Sequence, residues 1–568
     1  MKNIKKIVQV CILTVGSLFC INSTQAQTIS NHYFGENAWM PDTVGDANAC
    51  KEPPCILAGK LHNQWAAIKS SKTSIIRFGG IAPDQNMPTN FQYIRIIDSI
   101  RANGMEPIIQ VPFCNYRYTA QQAADIVKYL NVTKGKNIKY WIIANEPDLG
   151  YSFNSSSQIA NYFRPFASAM KAVDPSILII GPELSWFQKP VIDGLTAPGG
   201  PDDITGKDAA GRYYIDIISF HSYSFNGTQT RSQVVSKLTS AGGLQESLTY
   251  LNDRIAACNT THGRTGTYAL KTAVTEANVN WQNPSNDNLY GLGANSFIGG
   301  QFIAEMLAVG MKNNLDFMNL WSVIEGNSVA TNCGFIDPST YNKKPEYYHF
   351  KMMAENFKGN YVNGTTNQLT VKSFGSKDAQ QISVMILNED LTNSYNYTVQ
   401  LNTSAIGGSN ALKININAGL AGQYTDVIAS QSTTLLKFDG NGNIIEKTEY
   451  KLSGNAEANL PPTVTKLTIT TGIASNDASA GISNFEVAVF PNPSLGKFTV
   501  QLNVQNPEEK NFEIELFNLI GQSVYRKNSI FTNAKEEIEL DPSIADGTYI
   551  VRVKQGDRMI TKKIIVEK

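Results

Sequence analysis

The sequence predicts an α/β chain built as a closed (β/α)8 TIM barrel, followed by an all-β sandwich and then a second, smaller β-sandwich. Three observations carry that expectation. From about residue 30 to 358, short β-branched runs alternate with longer amphipathic segments, and the alternation completes eight times. No glycine-rich GxGxxG loop follows the first strand, as an open doubly wound sheet would want. Past Gly359 the pattern changes to short alternating strands broken by Asn, Gly and Ser.

The chain opens on a basic MKNIKK, an apolar run from Ile7 to Ile21 and small residues at Thr24-Gln25-Ala26, which reads as a signal peptide over residues 1–26. That run is too short and too close to the terminus for a stable span, and no other stretch reaches about 18 consecutive apolar residues. The mature protein is therefore expected to be exported and to have no membrane span. The barrel is placed at 27–358, with strands expected at Tyr33–Trp39, Ser74–Gly80, Glu106–Pro112, Tyr140–Pro147, Ile177–Leu184, Ile215–Tyr223, Ala269–Ala277 and Phe317–Val323. Apolar residues at three- and four-residue spacing predict helices over Phe91–Ala102, Ala120–Leu130, Ile159–Val173, Phe297–Met311 and Tyr347–Phe357.

The accessory sandwich is placed at 359–459, packed on the barrel with help from the barrel's opening strands. Asp439-Gly440-Asn441-Gly442-Asn443 has the flavour of a calcium loop, but it lacks the spaced acids and terminal Glu, so a hairpin turn is expected there. Residues 460–484 start with Pro-Pro, are rich in Thr, Ser, Ala and Asn, and read as an exposed linker. Alternating strands resume over 485–568.

Among 568 residues, 48 Lys and Arg balance 48 Asp and Glu, and no basic stripe appears, so capture of nucleic acid or anionic lipid has no support. Once Cys11 and Cys20 leave with the signal, Cys50 and Cys55 flank a Pro-Pro loop and are expected to pair in an oxidising compartment. Cys114, Cys258 and Cys333 lack metal-ligand spacing and read as buried thiols, with room for one further pair. The histidines share no spacing either. No metal and no cofactor are expected.

In such a barrel, chemistry sits at the C-terminal ends of the strands. The fourth ends Ile143-Ala144-Asn145-Glu146-Pro147 and the seventh Val274-Thr275-Glu276-Ala277-Asn278, so each apolar run abruptly delivers a carboxylate to the rim. A pair of carboxyls across one mouth suits glycosidic cleavage, one protonating the leaving oxygen and one attacking. The bland reading of each is a solvated rim carboxylate. Glu183, ending the fifth strand, competes as nucleophile but would stand one strand from Glu146; it is read as a supporting or subsite residue. His221 also fits a satisfied core histidine, Arg77 a structural ion pair, and Glu325 an ordinary loop carboxylate.

The order and content of these strand ends resemble clan A glycoside hydrolases, and the flavour of NEPDLG and GPELSW is similar to families 39, 44, 51 and 79. The resemblance covers roughly residues 30 to 460. It implies a retaining enzyme with Glu146 as acid/base and Glu276 as nucleophile. Asn145 would bind the sugar 2-hydroxyl, Arg77 would keep Glu276 ionised, and His221 or Tyr223 would orient it. Trp321, with Trp281, Trp186 and Trp39, would offer faces for sugar stacking. The implied substrate is an extracellular polysaccharide or oligosaccharide, cut endo. An exo-acting β-glycosidase or arabinofuranosidase, or an inactive carbohydrate-binding surface protein, stays open.

The tail carries its own resemblance. Val489-Phe490-Pro491-Asn492-Pro493-Ser494, Gly496-Lys497-Phe498 and the ending KKIIVEK look like the type A C-terminal sorting domain of the Bacteroidetes type IX secretion system. That implies the secretion machinery as a partner, outer-membrane translocation, and a secreted or cell-surface location.

Overall fold

A computed structural model describes residues 27–39, 61–326, 328–404, 412–467, 485–504, 511–518, 522–530, 535–555 and 558–568. The signal segment 1–26 and the Cys50–Cys55 pair lie outside them. Eight parallel strands close a barrel in sequence order: β1 Phe34–Asn37, β2 Ile75–Phe78, β3 Glu106–Val111, β4 Tyr140–Ile143, β5 Leu178–Leu184, β6 Ile217–Phe225, β7 Lys271–Asn280 and β8 Phe317–Leu320. β1 pairs with both β2 and β8, which is the closure. Several expected strands were drawn a few residues too long, because their last residues already turn into the rim loops.

Side chains alternate across a strand, so every second residue faces the barrel axis. The lower interior is apolar: Ile75, Ile108, Tyr140, Ile142, Ile180, Ile217, Ala273 and Phe317 form one buried cluster. Two residues further on, the same strands carry Arg77, Gln110, Ser219, Thr275 and Asn319, all buried. The barrel is thus filled by a dry layer under a polar one. Pairing registers slip at Gly181/Leu184, Phe220/His221 and Val274/Ala277, all at the level of the polar layer. Bulges of this kind re-aim side chains; on β7 the slip lets the consecutive residues Thr275 and Glu276 both make bonds inside the barrel.

The second domain is one nine-stranded sheet folded on itself. Its strands are β9 Asn360–Thr366, β10 Val371–Lys377, β11 Gln381–Asn388, β12 Tyr395–Gln400, β13 Leu412–Ile416, β14 Gln423–Ile428, β15 Ser432–Asp439, β16 Ile444–Lys451 and β17 Thr463–Lys466. On β11, Ile382, Val384 and Ile386 enter the sandwich core, while Met385 and Leu387 join the barrel's core. A strand buried on both faces reads as a continuous apolar run, as QISVMILN nearly does. Between barrel and sheet lies the helix Phe297–Lys312, apolar except for Gln301, Glu305 and its last residue, and buried from Phe297 to Met311. Its Gln301 amide donates to the carbonyls of Asn388 and Ser432.

The N-terminal segment also reaches the sheet: Ile29 N donates to Gly359 O at 2.7 Å and Tyr361 N to Gln27 O at 2.8 Å. Asp439–Asn443 is a hairpin turn between β15 and β16, with Asp439 Oδ1 accepting from the amides of Asn441 and Asn443. The expected 460–484 linker needs correction at its start. Thr463–Lys466 pairs with β16 as an exposed edge strand; its Thr-Val-Thr alternation favours extended backbone even where no core is buried.

Residues 470–568 form a separate unit. It has a three-stranded sheet of β18 Phe485–Phe490, β19 Lys497–Val504 and β22 Lys535–Glu539. A four-stranded sheet is made by β20 Asn511–Phe517, β21 Ser523–Ile530, β23 Gly547–Gln555 and β24 Arg558–Val566. One core containing Phe498, Val500, Ile514, Leu516, Ile538, Val551 and Ile564 joins them.

Candidate active site

At the end of β4 the backbone leaves the strand abruptly. Ala144 and Glu146 have φ of 69° and 43°, and Glu183 at the end of β5 has φ of 59°. Non-glycine residues in this region cost on the order of 1–3 kcal/mol each, and such strain gathers where side-chain placement matters. The Glu146 amide donates to Glu183 O at 2.9 Å, which ties the two rim turns together.

Arg77, on β2 and fully buried, is the hub. Its Nη1 donates to Glu276 Oε1 at 2.8 Å and Asn37 Oδ1 at 2.9 Å. Nη2 donates to Asn145 Oδ1 at 2.7 Å, Glu183 Oε2 at 2.9 Å and Gln110 Oε1 at 3.3 Å. Burial opposes the guanidinium charge, but Glu183 and Glu276 raise its pKa overall.

β6 presents Ser219, His221 and Tyr223 on one face, two residues apart. His221 Nδ1 lies 2.8 Å from Glu146 Oε1 and 3.5 Å from Glu276 Oε2, while Nε2 lies 3.4 Å from Glu183 Oε2. Burial disfavours the charged ring, yet the surrounding carboxylates push its pKa up to about 10, so it is an imidazolium at neutral pH. The Tyr223 hydroxyl donates to Glu276 Oε2 at 2.8 Å. Burial pushes the Glu276 carboxyl above its ordinary value, with His221 and Arg77 pulling against that rise.

One oxygen or nitrogen from each of Glu146, His221 and Glu276 lies within 4.8 Å of the others. Such a trio has the reach to ligate a cation. However, Arg77 and His221 already place two positive charges on these carboxylates, which disfavours a third.

Of the two roles expected for Glu183, support and subsite, the geometry fits support, and its place among the substrate-binding residues is corrected. Its side chain is fully buried, and Ser219 Oγ and Thr275 Oγ1 (2.7 Å) both donate to Oε1, while Arg77 and His221 hold Oε2. Burial would raise its pKa, but Arg77 and His221 hold the carboxyl down to about 2. It anchors the Arg77 guanidinium and the His221 ring from below the mouth.

Trp321, just past β8, is partly exposed and stacks on Trp39, ring centroids 6.3 Å apart and 17° from parallel. Its Nε1 donates to Glu325 Oε1 at 2.7 Å, and Glu325 Oε2 accepts from Cys333 N. Glu325 therefore holds the indole, a role its loop position in the sequence did not suggest. A Cβ on Gly80 would fall 2.7 Å from the Trp321 ring, so the second glycine of IIRFGG makes room for that platform. Trp281 and Trp186 stand 59% and 62% exposed beyond β7 and β5, and among the described residues no hydrogen bond or ring contact ties either to the cluster. The three remaining cysteines stay free thiols; Cys258 and Cys333 are buried and Cys114 is half-buried.

Sequence reasoning missed Asn37, Gln110, Ser219 and Thr275. The signal was partial: Asn37 and Gln110 stand near the C-terminal ends of their strands, the criterion that selected Glu146 and Glu276, whereas Ser219 and Thr275 lie inside β6 and β7, two residues beyond Ile217 and Ala273 of the apolar layer.

Residues 488–567 match the family model described as the secretion system C-terminal sorting domain. The chain carries a sorting domain. This directs it to type IX secretion and so to the cell surface or extracellular space. Among the described residues no helix is long and apolar enough to cross a membrane.

No curated protein sequence matches the chain. Among solved structures, a thermostable GH51 α-L-arabinofuranosidase from Thermotoga petrophila aligns with a TM-score of 0.51 at 15% identity, covering 72% of this chain and 97% of its own. CelM2, a bifunctional glucanase-xylanase from a metagenome library, aligns with a TM-score of 0.48 at 15% identity, over 72% and 96%. A family 44 xyloglucanase from Paenibacillus polymyxa gives 0.48 at 14%, over 72% and 96%. The chain shares its fold with the arabinofuranosidase over 72% of its length.

Proposed function

We propose that the chain is a secreted retaining glycoside hydrolase in which Glu146 is the general acid/base and Glu276 the nucleophile. The observation that carries this is that one oxygen of Glu146 and one of Glu276 lie within 4.8 Å of each other, on separate strands of one mouth. Double displacement wants about 5–5.5 Å, whereas inversion needs about 6.5–9.5 Å to admit water between the groups.

Charge balance supports the same assignment. Glu146, Glu183 and Glu276 face Arg77 and His221, three acids against two basic groups, so one further proton makes the cluster neutral. Retaining chemistry starts from one such proton, carried by the acid that faces the leaving oxygen. In the first step Glu276 attacks the anomeric carbon while Glu146 gives its proton to the leaving oxygen. In the second, Glu146 takes a proton from water, which displaces Glu276 from the sugar. Arg77 and Tyr223 aim the Glu276 oxygens. Asn145 has its carbonyl oxygen committed to Arg77, which frees its NH2 to donate to a sugar hydroxyl. Trp321 offers a ring face to the sugar.

The substrate is a β-linked extracellular polysaccharide cut within the chain. The second reading, exo-acting removal of an arabinofuranosyl or other terminal sugar, is favoured by the activity named for the family 51 neighbour. Product sizing on a polysaccharide panel separates the two. Trapping with a fluorinated mechanism-based glycoside tests the roles: the label is expected on the peptide bearing Glu276, with product released in the substrate's anomeric configuration. Inverted product, or a label elsewhere, overturns the assignment.

A further inference from the structure

The end of the barrel opposite the mouth holds a cavity of about 750 Å³. It opens where β4 to β7 begin, beneath Lys139, Leu178, Asp216 and Lys271. Its lining carries five cations, Lys139, Lys171, Lys207, Arg212 and Lys271, and one acid, Asp216. Local acids answer three of the cations: Asp216 pairs with Lys171 at 2.6 Å, Asp208 with Arg212 at 2.7 Å and Asp316 with Lys271 at 2.7 Å. Among the described residues, Lys139 and Lys207 have no carboxylate partner, and each instead lies over a tyrosine ring, Tyr140 at 5.4 Å and Tyr213 at 4.6 Å.

The walls are built rather than loose. Arg264, 3% exposed, donates to the carbonyls of Tyr268, Thr205 and Ile215, and its guanidinium sits 4.0 Å from the Tyr213 ring centroid. Tyr268 is 65% exposed, with its ring centroid 6.2 Å from that of Tyr213. A concave site of this volume suits one or two sugar units. An aromatic face beside uncompensated ammonium groups and the hydroxyls of Thr265 and Thr267 suits a sugar that bears an anion.

We infer that this cavity is a second carbohydrate site, which holds a carboxylated or sulfated segment of a glycan away from the catalytic mouth. The choice of a glycan over another polyanion rests on the proposed glycosidase reading; the anionic, ring-stacking chemistry rests on the cavity alone.

The test is equilibrium binding by the full mature chain carrying Glu276→Gln, so that no substrate is consumed. The probes are polygalacturonate (carboxylate), a sulfated galactan (sulfate ester) and a neutral β-glucan, each at low and raised salt. At least one acidic glycan is expected to bind and to weaken as salt rises. Adding Lys139→Gln with Lys207→Gln should weaken that binding roughly tenfold or more, and Tyr268→Ala should weaken it severalfold. The neutral glucan should be indifferent to all three changes. Whichever acidic glycan responds names the anion. Equal affinity of parent and lysine variant for both acidic glycans overturns the inference, as does tighter lysine-dependent binding of a single-stranded oligonucleotide. Because hydrolysis is not read, a negative result leaves the catalytic assignment standing. Conversely, lysine-dependent glycan binding by a chain whose Glu276 parent cleaves no glycan would sink the catalytic assignment alone.

Discussion

The two layers inside the barrel come from the same strands and differ by one step of two residues. Ile75 precedes Arg77, Ile108 precedes Gln110, Ile217 precedes Ser219 and Phe317 precedes Asn319. Both layers are buried, yet only the lower one gains from it, since moving apolar surface out of water stabilises the fold by about 25 cal/mol per Å². The upper layer desolvates the carboxyls of Glu183 and Glu276 and the cations Arg77 and His221, with Glu146 half-buried above them, and ion pairs so placed recover little beyond their desolvation cost. Polar groups gathered in one layer at a net cost, with strained φ angles at Ala144, Glu146 and Glu183, mark a layer shaped for placement of charge rather than for stability.

The largest expected effect comes from the upper layer. Glu276→Gln should lower kcat by about 10⁴-fold or more while the melting temperature holds or rises, because a nucleophile is lost and a buried charge is removed. Loss of stability comparable to the loss of rate would break the division between layers. In the lower layer Phe317→Ala should do the reverse. It opens a cavity where the side chain is fully buried, costing about 3–5 kcal/mol by denaturant unfolding, with kcat per folded molecule nearly unchanged. Thr275→Val, in the upper layer two residues beyond Ala273, removes one donor to Glu183 and should cost about 1 kcal/mol. Its rate effect should stay below about tenfold, because Arg77 still holds Glu276.

The division was partly legible in the sequence. Eight runs of β-branched residues and their terminal carboxylates located the barrel and both candidate acids, because strand period and rim position are local properties. What stayed hidden is pairwise. The bulges that turn Glu183, His221 and Glu276 inward depend on neighbouring registers, and a register is not written in either strand alone. For that reason the sequence left Glu183 open between a support and a subsite residue, and only the structure shows its side chain fully buried. Thr463–Lys466 went unseen for a related cause: an edge strand buries nothing, so its composition resembles a loop.

The finest test compares two buried carboxyls with opposite surroundings. Glu183 touches Arg77 and His221 and is held down to about 2. Glu325 touches no cation among the described residues and is pushed up to about 7 by burial, against donors from Cys333 and Trp321. For Glu183 the folded value lies below the unfolded one, so its stabilisation is present above about pH 4.5 and lost only as pH falls toward 2. For Glu325 the folded value lies above the unfolded one, so the folded chain keeps a proton that the unfolded chain releases. That stabilisation is full below about pH 4.5 and disappears as pH rises through 7. Glu346, raised to about 8, and Glu305, raised to about 7, act in the same direction, so the parent alone cannot isolate Glu325. The difference between parent and Glu325→Gln can: the amide keeps an acceptor for the Trp321 indole but does not titrate. Unfolding free energies at pH 5 and pH 8 should fall less with pH in the variant, by on the order of a few kcal/mol at most. Its KM should change by less than about threefold, since the ring keeps its hydrogen bond and its stack on Trp39. Identical pH slopes in the two proteins would mean that Glu325 stays ionised beside Trp321, and a buried carboxyl without a cation in contact would then need another source of compensation.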